Sequence, residues 1–529
     1  MFGFLWSFPL GLKITLGLLG LLFFLVYRYL TSTFDHWKKK GVKFIKPWPI
    51  AGSTATIMLM KEHLLHFHQR VYKEYEGEPF IGFFQGRLPT LMIFDTELIK
   101  RIFVKDFSHF VDHGFKMSEE ADPLNALNLF NVQGQRWKDL RTKLVPTFTS
   151  GKMKGMFPLI QECTERFDEH LDQLAKSGEI FEAKNLLGCL FTDVIGSCIF
   201  GINCNTIKEP NNEFRVMGKR LIDVTPIQAF KGMLVFLFND LALKLKIGVT
   251  DPEVTEFFKK LTLDLVAHRK KNNIVRKDFL QLLMELKENG RVSVDDDDED
   301  EDSHLHRNET SNNIKFDDID MVAQASVFFL AGFETSSTVI SFALLELAAN
   351  PDVQRKAQIE IDELLAQADG KVTYESLKEM KYLDWILQES MRKYPPVAVH
   401  FRECSKTYKI PDTDKTLEKG DMVTIPNHAL QNDPKYFPNP DRFDPERFND
   451  DDFLHKHQYI YSPFGEGPRQ CIGNRFAIIQ SKMALLVFLR KYTISFTAKT
   501  VFPIELDIKQ FILTTKDGIW LKMEHRGEE

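Results

Sequence analysis

The sequence predicts a mainly α-helical protein with a smaller β-rich part, carried on an N-terminal transmembrane helix. Three observations carry the prediction. Long stretches read as helix from their apolar spacing, notably Gly155–Lys176, Phe181–Phe200, Asp317–Asn350 and Leu383–Lys393. Strand-like runs are short, at Phe80–Phe84, Thr90–Phe94, Ile410–Pro411 and Asp421–Pro426, with a strand-rich tail over Ser495–Lys522. From Phe8 to Tyr27 the chain is almost wholly apolar.

That apolar run is broken by Lys13, and with its flanks it reaches about 20 residues, enough to span a bilayer. Lys13 can snorkel to the near interface. Arg28, Lys38, Lys39, Lys40, Lys43 and Lys46 follow, so the positive-inside rule places the body on the cytosolic side. A cleaved secretory signal is the competing reading; the basic cluster lies on the wrong side for it and no small-residue cleavage site follows. The division is an anchor over 1–30, a basic linker over 31–52 and a body over 53–529. Lys46-Pro-Trp-Pro-Ile-Ala-Gly52 makes the linker stiff and extended.

The 529 residues are 43% hydrophobic, ample for a large core. A net charge of −6 gives no global attraction to nucleic acid, and none is expected as a partner. The 46 phenylalanines suit a greasy interior or a lipophilic pocket. Cys163, Cys189, Cys198, Cys204, Cys404 and Cys471 show neither metal spacing nor a disulfide framework, which fits a reducing compartment.

Within the body, Glu62–Tyr75 reads as helix, and a Gly-Arg-Leu-Pro turn joins the first two strands. Glu97–Val104 reads as a short helix and His109–Asn131 as a long loop. Trp137 and Arg141 share a helix face after Gly134. Pro226–Val249 is unusually apolar, as a core helix or a membrane-contacting segment would be. Asp295–Asp302 is an unbroken acidic run, read as a disordered surface insert over 290–313. A partner site there is the alternative. The sequon Asn308-Glu-Thr310 stays unmodified in a cytosol-facing body.

Two stretches carry chemistry. In the apolar run Asp317–Asn350, Ala331-Gly-Phe-Glu-Thr-Ser336 puts an acid and hydroxyls where burial is costly. They form either a polar packing face or a functional groove that Gly332 opens. Ser462–Phe476 crowds Gly465, Gly467 and Gly473 around Cys471, with backbone angles that other residues resist. A helix follows whose buried face is Phe476, Ile479, Met483 and Leu486. A thiolate before a helix N-terminus, with Arg469 nearby, is a natural metal ligand. A buried structural cysteine is the alternative.

The pattern Phe464-x-x-Gly467-x-Arg469-x-Cys471-x-Gly473 resembles the haem-binding loop of the cytochrome P-450 superfamily. Trp137-x-x-x-Arg141, Ala331-Gly-x-Glu334-Thr335 and Glu389-x-x-Arg392 precede it in the family's order. The resemblance spans nearly the whole chain and is strongest to insect microsomal enzymes that oxidise xenobiotics. It implies haem b (iron protoporphyrin IX) with Cys471 as axial iron ligand. Arg469, Trp137, Arg141, Arg402, Phe464, Gly465, Gly473 and Ala331 would contact the cofactor. Thr335 and Glu334 would guide protons. Glu389 and Arg392, closed by Arg447, would maintain the fold. Val397, Ala398, Val399, Phe511 and Ile512 are pocket candidates by position, beside Leu513. Gln431 and Asn432 stand where many relatives have histidine, so no haem contact is assigned there.

The resemblance further implies oxygen insertion into lipophilic molecules: plant toxins, insecticides, or endogenous lipids and hormones. NADPH–cytochrome P-450 reductase, a flavoprotein, would supply electrons, with cytochrome b5 as an auxiliary. The setting is the endoplasmic reticulum membrane, with Pro226–Val249 as a membrane-dipping lid. Lys138, Lys143, Lys152 and Lys154 form a docking patch or a solvated face. The rivals are an oxygen-independent isomerase or dehydratase, a haem sensor and a structural membrane protein.

Overall fold

The computed structural model describes residues 9–223, 225–292 and 316–527. The acidic run Asp295–Asp302 and the sequon at Asn308 lie outside them. Chain order begins with α1 (Leu10–Thr31), then β1 (Phe80–Gln85), β2 (Leu88–Ile93), α2 (Gly134–Leu144) and α3 (Ser150–Ser177). β3 (Phe181–Glu182), α4 (Ala183–Ile195), α5 (Pro226–Leu237), α6 (Pro252–Asn272) and α7 (Phe279–Asn289) follow. The second half holds α8 (Asp318–Ala349), α9 (Pro351–Gln367), α10 (Lys381–Lys393), β4 (His400–Glu403) and β5 (Met422–Ile425). It closes with α11 (Asn474–Lys491), β6 (Tyr492–Phe496) and β7 (Trp520–His525).

Helices build the larger core, and α8 runs through it. Asp317 starts this helix by accepting from the N–H groups of Ile319 and Asp320, while Asp320 returns the favour to the Asp317 N–H. α4 packs closely on α8 because Gly332 has no side chain: a Cβ there would lie 2.4 Å from Ile195 Cδ1. Gly332 therefore serves helix packing, giving its space to Ile195. On α11, Phe476, Ile479, Met483 and Leu486 are all buried, as their spacing predicts.

The four-stranded sheet has the order β1-β2-β5-β4 and the three-stranded sheet β3-β7-β6. Gly86 and Arg87 alone make the β1–β2 turn, with Gln85 paired to Leu88, so Leu88 and Pro89 belong to the strand. The strand-rich tail shrinks to β6 and β7; residues between them make one isolated bridge, Leu506 to Thr515.

α1 stands clear of the body, with only Leu30 buried. Its end is clamped: Tyr29 stacks on Phe238 at 5.5 Å, and the Arg87 guanidinium lies 4.1 Å from the Tyr29 ring. The linker is tied to the body as well. Trp37 is fully buried and donates to the Phe83 carbonyl at 3.0 Å, while Phe44 bridges to Gly82. The Pro-Trp-Pro segment, expected to be extended, instead enters a tight turn in which Trp48 and Gly52 exchange backbone hydrogen bonds of 2.7 and 2.9 Å. On α5, Ile227, Phe230, Met233 and Phe236 point outward, which removes the core-helix reading.

Candidate active site

Cys471 sits on a loop shaped by backbone constraints. Its N–H donates to the Phe464 carbonyl at 2.8 Å, and the Gly465 N–H to Ser462 at 2.9 Å. Gly465 and Gly467 take φ of +73° and +71°. Gly467 also lets the loop press on its neighbour, since a Cβ would lie 2.0 Å from the Phe103 oxygen. Gly473 differs from expectation: its φ of −94° suits any residue. Its use is to donate its N–H towards Cys471.

Cys471 is accessible, although the five other cysteines are buried. Its surroundings are nonetheless desolvating and push the thiol up; the Gly473 N–H and the Arg141 guanidinium pull it down. The cation felt at Cys471 is thus Arg141 on α2. Arg469, expected in that role, points elsewhere because five acceptors claim it. It donates to the carbonyls of Val111 (2.8 Å), Leu129 (3.2 Å), Phe130 (3.2 Å) and Val132 (2.9 Å), and to Asp112 at 3.4 Å. Arg469 thereby ties the cysteine loop to the 109–132 loop, and it lies 4.1 Å from the Trp137 ring. Trp137 is buried beside Phe107.

Arg402, on β4, is 3% exposed. Its Nη1 donates to its neighbour's carbonyl at 2.8 Å, and its buried Nε has no partner. Burial pulls Arg402 down to about 10 and Arg469 to about 9, and lowers Arg141, yet all stay cationic at neutral pH. His113, pushed well down by burial and by Arg402 and Arg469, is neutral beside them. Among the described residues Asp112 is the one carboxylate ion-paired to these three arginines.

On α8 the Thr335 hydroxyl donates to the Ala331 carbonyl at 2.6 Å, and Ala331 is itself accessible. Glu334 pairs with Lys184 on α4, at 2.6 Å. Gln480 of α11 fixes this turn against the cysteine helix, donating to Gly332 O at 3.0 Å and Ser336 Oγ at 2.7 Å.

The other predicted residues fall into two groups. Glu389 accepts from Arg392 (2.7 and 3.0 Å), both buried, and from the partly buried Arg447 (3.2 Å). Gln431 and Asn432 serve this cluster: Gln431 O and Asn432 Oδ1 accept from Arg392. In the pocket group, Ala398 and Val399 are packed into the core and leave Val397 the more accessible. Phe511 is half exposed, 6.4 Å from the Phe401 ring, and Ile512 is partly buried beside it. Of the four patch lysines, Lys154 pairs with Glu375 and Lys143 donates to Gly290 O.

Sequence reasoning missed Asp112, His113, Lys184 and Gln480. Each acts on a partner far along the chain, and no local pattern marks them.

Cations buried with too few carboxylates suit an anionic ligand, and an accessible thiol among desolvating groups suits a metal. Haem meets both demands, through its propionates and its iron, so the residues present fit a haem-thiolate protein. Comparison with known proteins gives the same class. Residues 42–522 match the family model Cytochrome P450. The chain is 39% identical to cytochrome P450 9e2 of Blattella germanica, over 96% of this chain and 97% of that one. It is 38% identical to probable cytochrome P450 6a14 of Drosophila melanogaster, over 96% and 99%. It is also 38% identical to cytochrome P450 6k1 of Blattella germanica, over 95% of each. The chain belongs to the cytochrome P450 family. It is an enzyme of the monooxygenase class, and haem iron is the family's cofactor.

Proposed function

We propose that the protein inserts one atom of O2 into lipophilic small molecules, xenobiotic or endogenous, at the endoplasmic reticulum membrane with its body in the cytosol. The balance is RH + O2 + NADPH + H+ giving ROH + H2O + NADP+, with electrons delivered by NADPH–cytochrome P-450 reductase and assisted by cytochrome b5. The observation that carries the reading is the Glu334–Thr335 turn of α8, clamped by Gln480 to the helix that follows Cys471.

Bound haem supplies the oxygen-transfer chemistry. Cys471 would ligate its iron, with the Gly473 N–H and Arg141 favouring the thiolate. Arg402, which has a donor to spare at Nε, and Arg141 would hold the propionates, while Arg469, its five N–H groups already used by the protein, would add only its positive charge. The Trp137 ring packs on the Arg469 guanidinium. The Thr335 hydroxyl holds its proton on the Ala331 carbonyl and is free to turn from it, while Glu334 holds a carboxylate one residue away. That pair favours oxygenation over an oxygen-independent isomerisation, which needs no protons for O2. The exposed apolar faces of α1 and α5 support membrane contact near substrate entry.

The test is turnover by full-length protein reconstituted with reductase, O2 and a panel of lipophilic compounds. NADPH-dependent products heavier by one oxygen atom, lost in Cys471→Ala, are expected. Conversion that needs no NADPH would instead establish the isomerase. Ligand binding without any product, at verified haem content and reductase coupling, would establish a sensor.

A further inference from the structure

We infer that Lys184 is a positioning residue for oxygenation: it aims the Glu334 carboxylate and, through Thr514, joins it to the tail loop beside the substrate-pocket candidates. The inference rests on Glu334 and Thr335 acting as the proton relay.

Lys184 is the second residue of α4, and its backbone is pinned. Glu182 accepts from the N–H groups of Lys184 (3.3 Å), Asn185 (2.6 Å) and Ile519 (2.9 Å), while the Ala183 N–H donates to Ile519 O at 2.8 Å. From this base Nζ reaches Glu334 Oε1 at 2.6 Å and Thr514 Oγ1 at 2.7 Å. The two charged side chains are 23% and 15% accessible, so water screens the pair less than it would at the surface.

Thr514 belongs to a loop that touches both sides of the candidate pocket. The Asp507 N–H donates to Thr514 O at 2.8 Å, and the Lys516 N–H to Glu505 O at 2.9 Å. The Leu513 N–H donates to Pro396 O at 3.2 Å, next to Val397. Thr338, one turn beyond Glu334 on α8, donates to Leu513 O at 3.4 Å. A substrate that shifts residues 511–514 moves one of the two acceptors on Lys184 Nζ. The ammonium is a point charge with three rotatable donors, so it adjusts on Glu334 as the loop moves. Proton delivery is thereby set by how the loop closes. Removing Lys184 leaves a partly buried carboxylate without its cation.

The experiment compares Lys184→Met, Lys184→Arg, Thr514→Val and Glu334→Gln in the full-length holoenzyme with reductase. It reads product and hydrogen peroxide per NADPH consumed, and amide exchange of the tail loop. Oxygen that is reduced without productive protonation leaves as peroxide, two electrons and two protons per O2. In Lys184→Met, product per NADPH should fall by about tenfold, with peroxide taking up the difference. Lys184→Arg should restore most of it, and the Lys184→Met/Glu334→Gln double variant should be no worse than Glu334→Gln. Exchange at Asp507 and Lys516 should quicken about threefold or more in both Lys184→Met and Thr514→Val. If Lys184→Met stays as tightly coupled as the native enzyme while Glu334→Gln is impaired, the inference is wrong and the relay stands. If Glu334→Gln is itself fully coupled, the relay reading fails. Should Lys184→Met not retain haem, Lys184→Gln is judged by the same outcomes. Unchanged exchange in both loop variants would overturn the link to the tail.

Discussion

Replacing Glu389 with glutamine should cost a large share of the protein's stability while sparing its chemistry. Glu389 and Arg392 are fully buried, and the Arg447 side chain is 8% exposed. The carboxylate accepts two bonds from Arg392, one from Arg447 and one from the Asp444 N–H at 3.0 Å. Arg392 spends its remaining donors on Gln431 O (3.0 Å), Asn432 Oδ1 (3.1 Å) and Pro440 O (2.6 Å). With all five Arg392 N–H groups used and four bonds to the carboxylate, the attraction can offset the desolvation of three charges. Glutamine keeps the shape, removes the negative charge and turns an N–H2 towards a guanidinium. Two buried cations are left without a counter-ion, which costs about 3–5 kcal/mol. A whole domain has only about 5–15 kcal/mol. The assay is urea unfolding of the full-length protein in detergent, followed by haem absorbance and far-ultraviolet circular dichroism. Turnover per retained haem should hold. A loss below about 1 kcal/mol would place the cluster with exposed ion pairs and refute the reasoning.

Three further outcomes follow from packing and burial. Gly332→Ala should cost about 1–3 kcal/mol by overpacking against Ile195, and Ile195→Ala should relieve it in a double-mutant cycle. Trp37→Ala should cost about 3–5 kcal/mol and open residues 36–53 to limited proteolysis, because the indole is fully buried. Burial holds His68 and His400 down at about 4 and His428 at about 3, against an ordinary 6.5. The unfolded chain therefore binds more protons as pH falls below 6.5, so this stability is present above 6.5 and is lost towards pH 4. Each histidine accounts for about 3 kcal/mol at pH 4, and His400→Gln should flatten the urea-midpoint profile across that window.

Features confined to one turn or one face were legible in the sequence. The spacing of Phe476, Ile479, Met483 and Leu486 gave the buried side of the cysteine helix, and Glu389 with Arg392 lay within reach at i, i+3. Conformation at single glycines was read less well. Gly465 and Gly467 need positive φ, but Gly473 does not, because composition cannot say which glycine of a loop makes the turn. The tail was over-read as strand because β-branched residues between Phe496 and Trp520 pack as a loop rather than pair in a ladder.

The sequence by itself determined the helical class, the apolar N-terminal helix, the cysteine loop and the acid–alcohol turn on α8, since each depends on neighbours within about a helical turn. Tertiary structure decided which charge meets which. It gave Cys471 the Arg141 cation, sent Arg469 to the 109–132 loop and set Lys184 on Glu334 across 150 residues of chain. Periodicity shows that a face is buried, whereas its counterpart depends on how distant elements pack. A buried charge is stabilised only by the partner that packing brings to it.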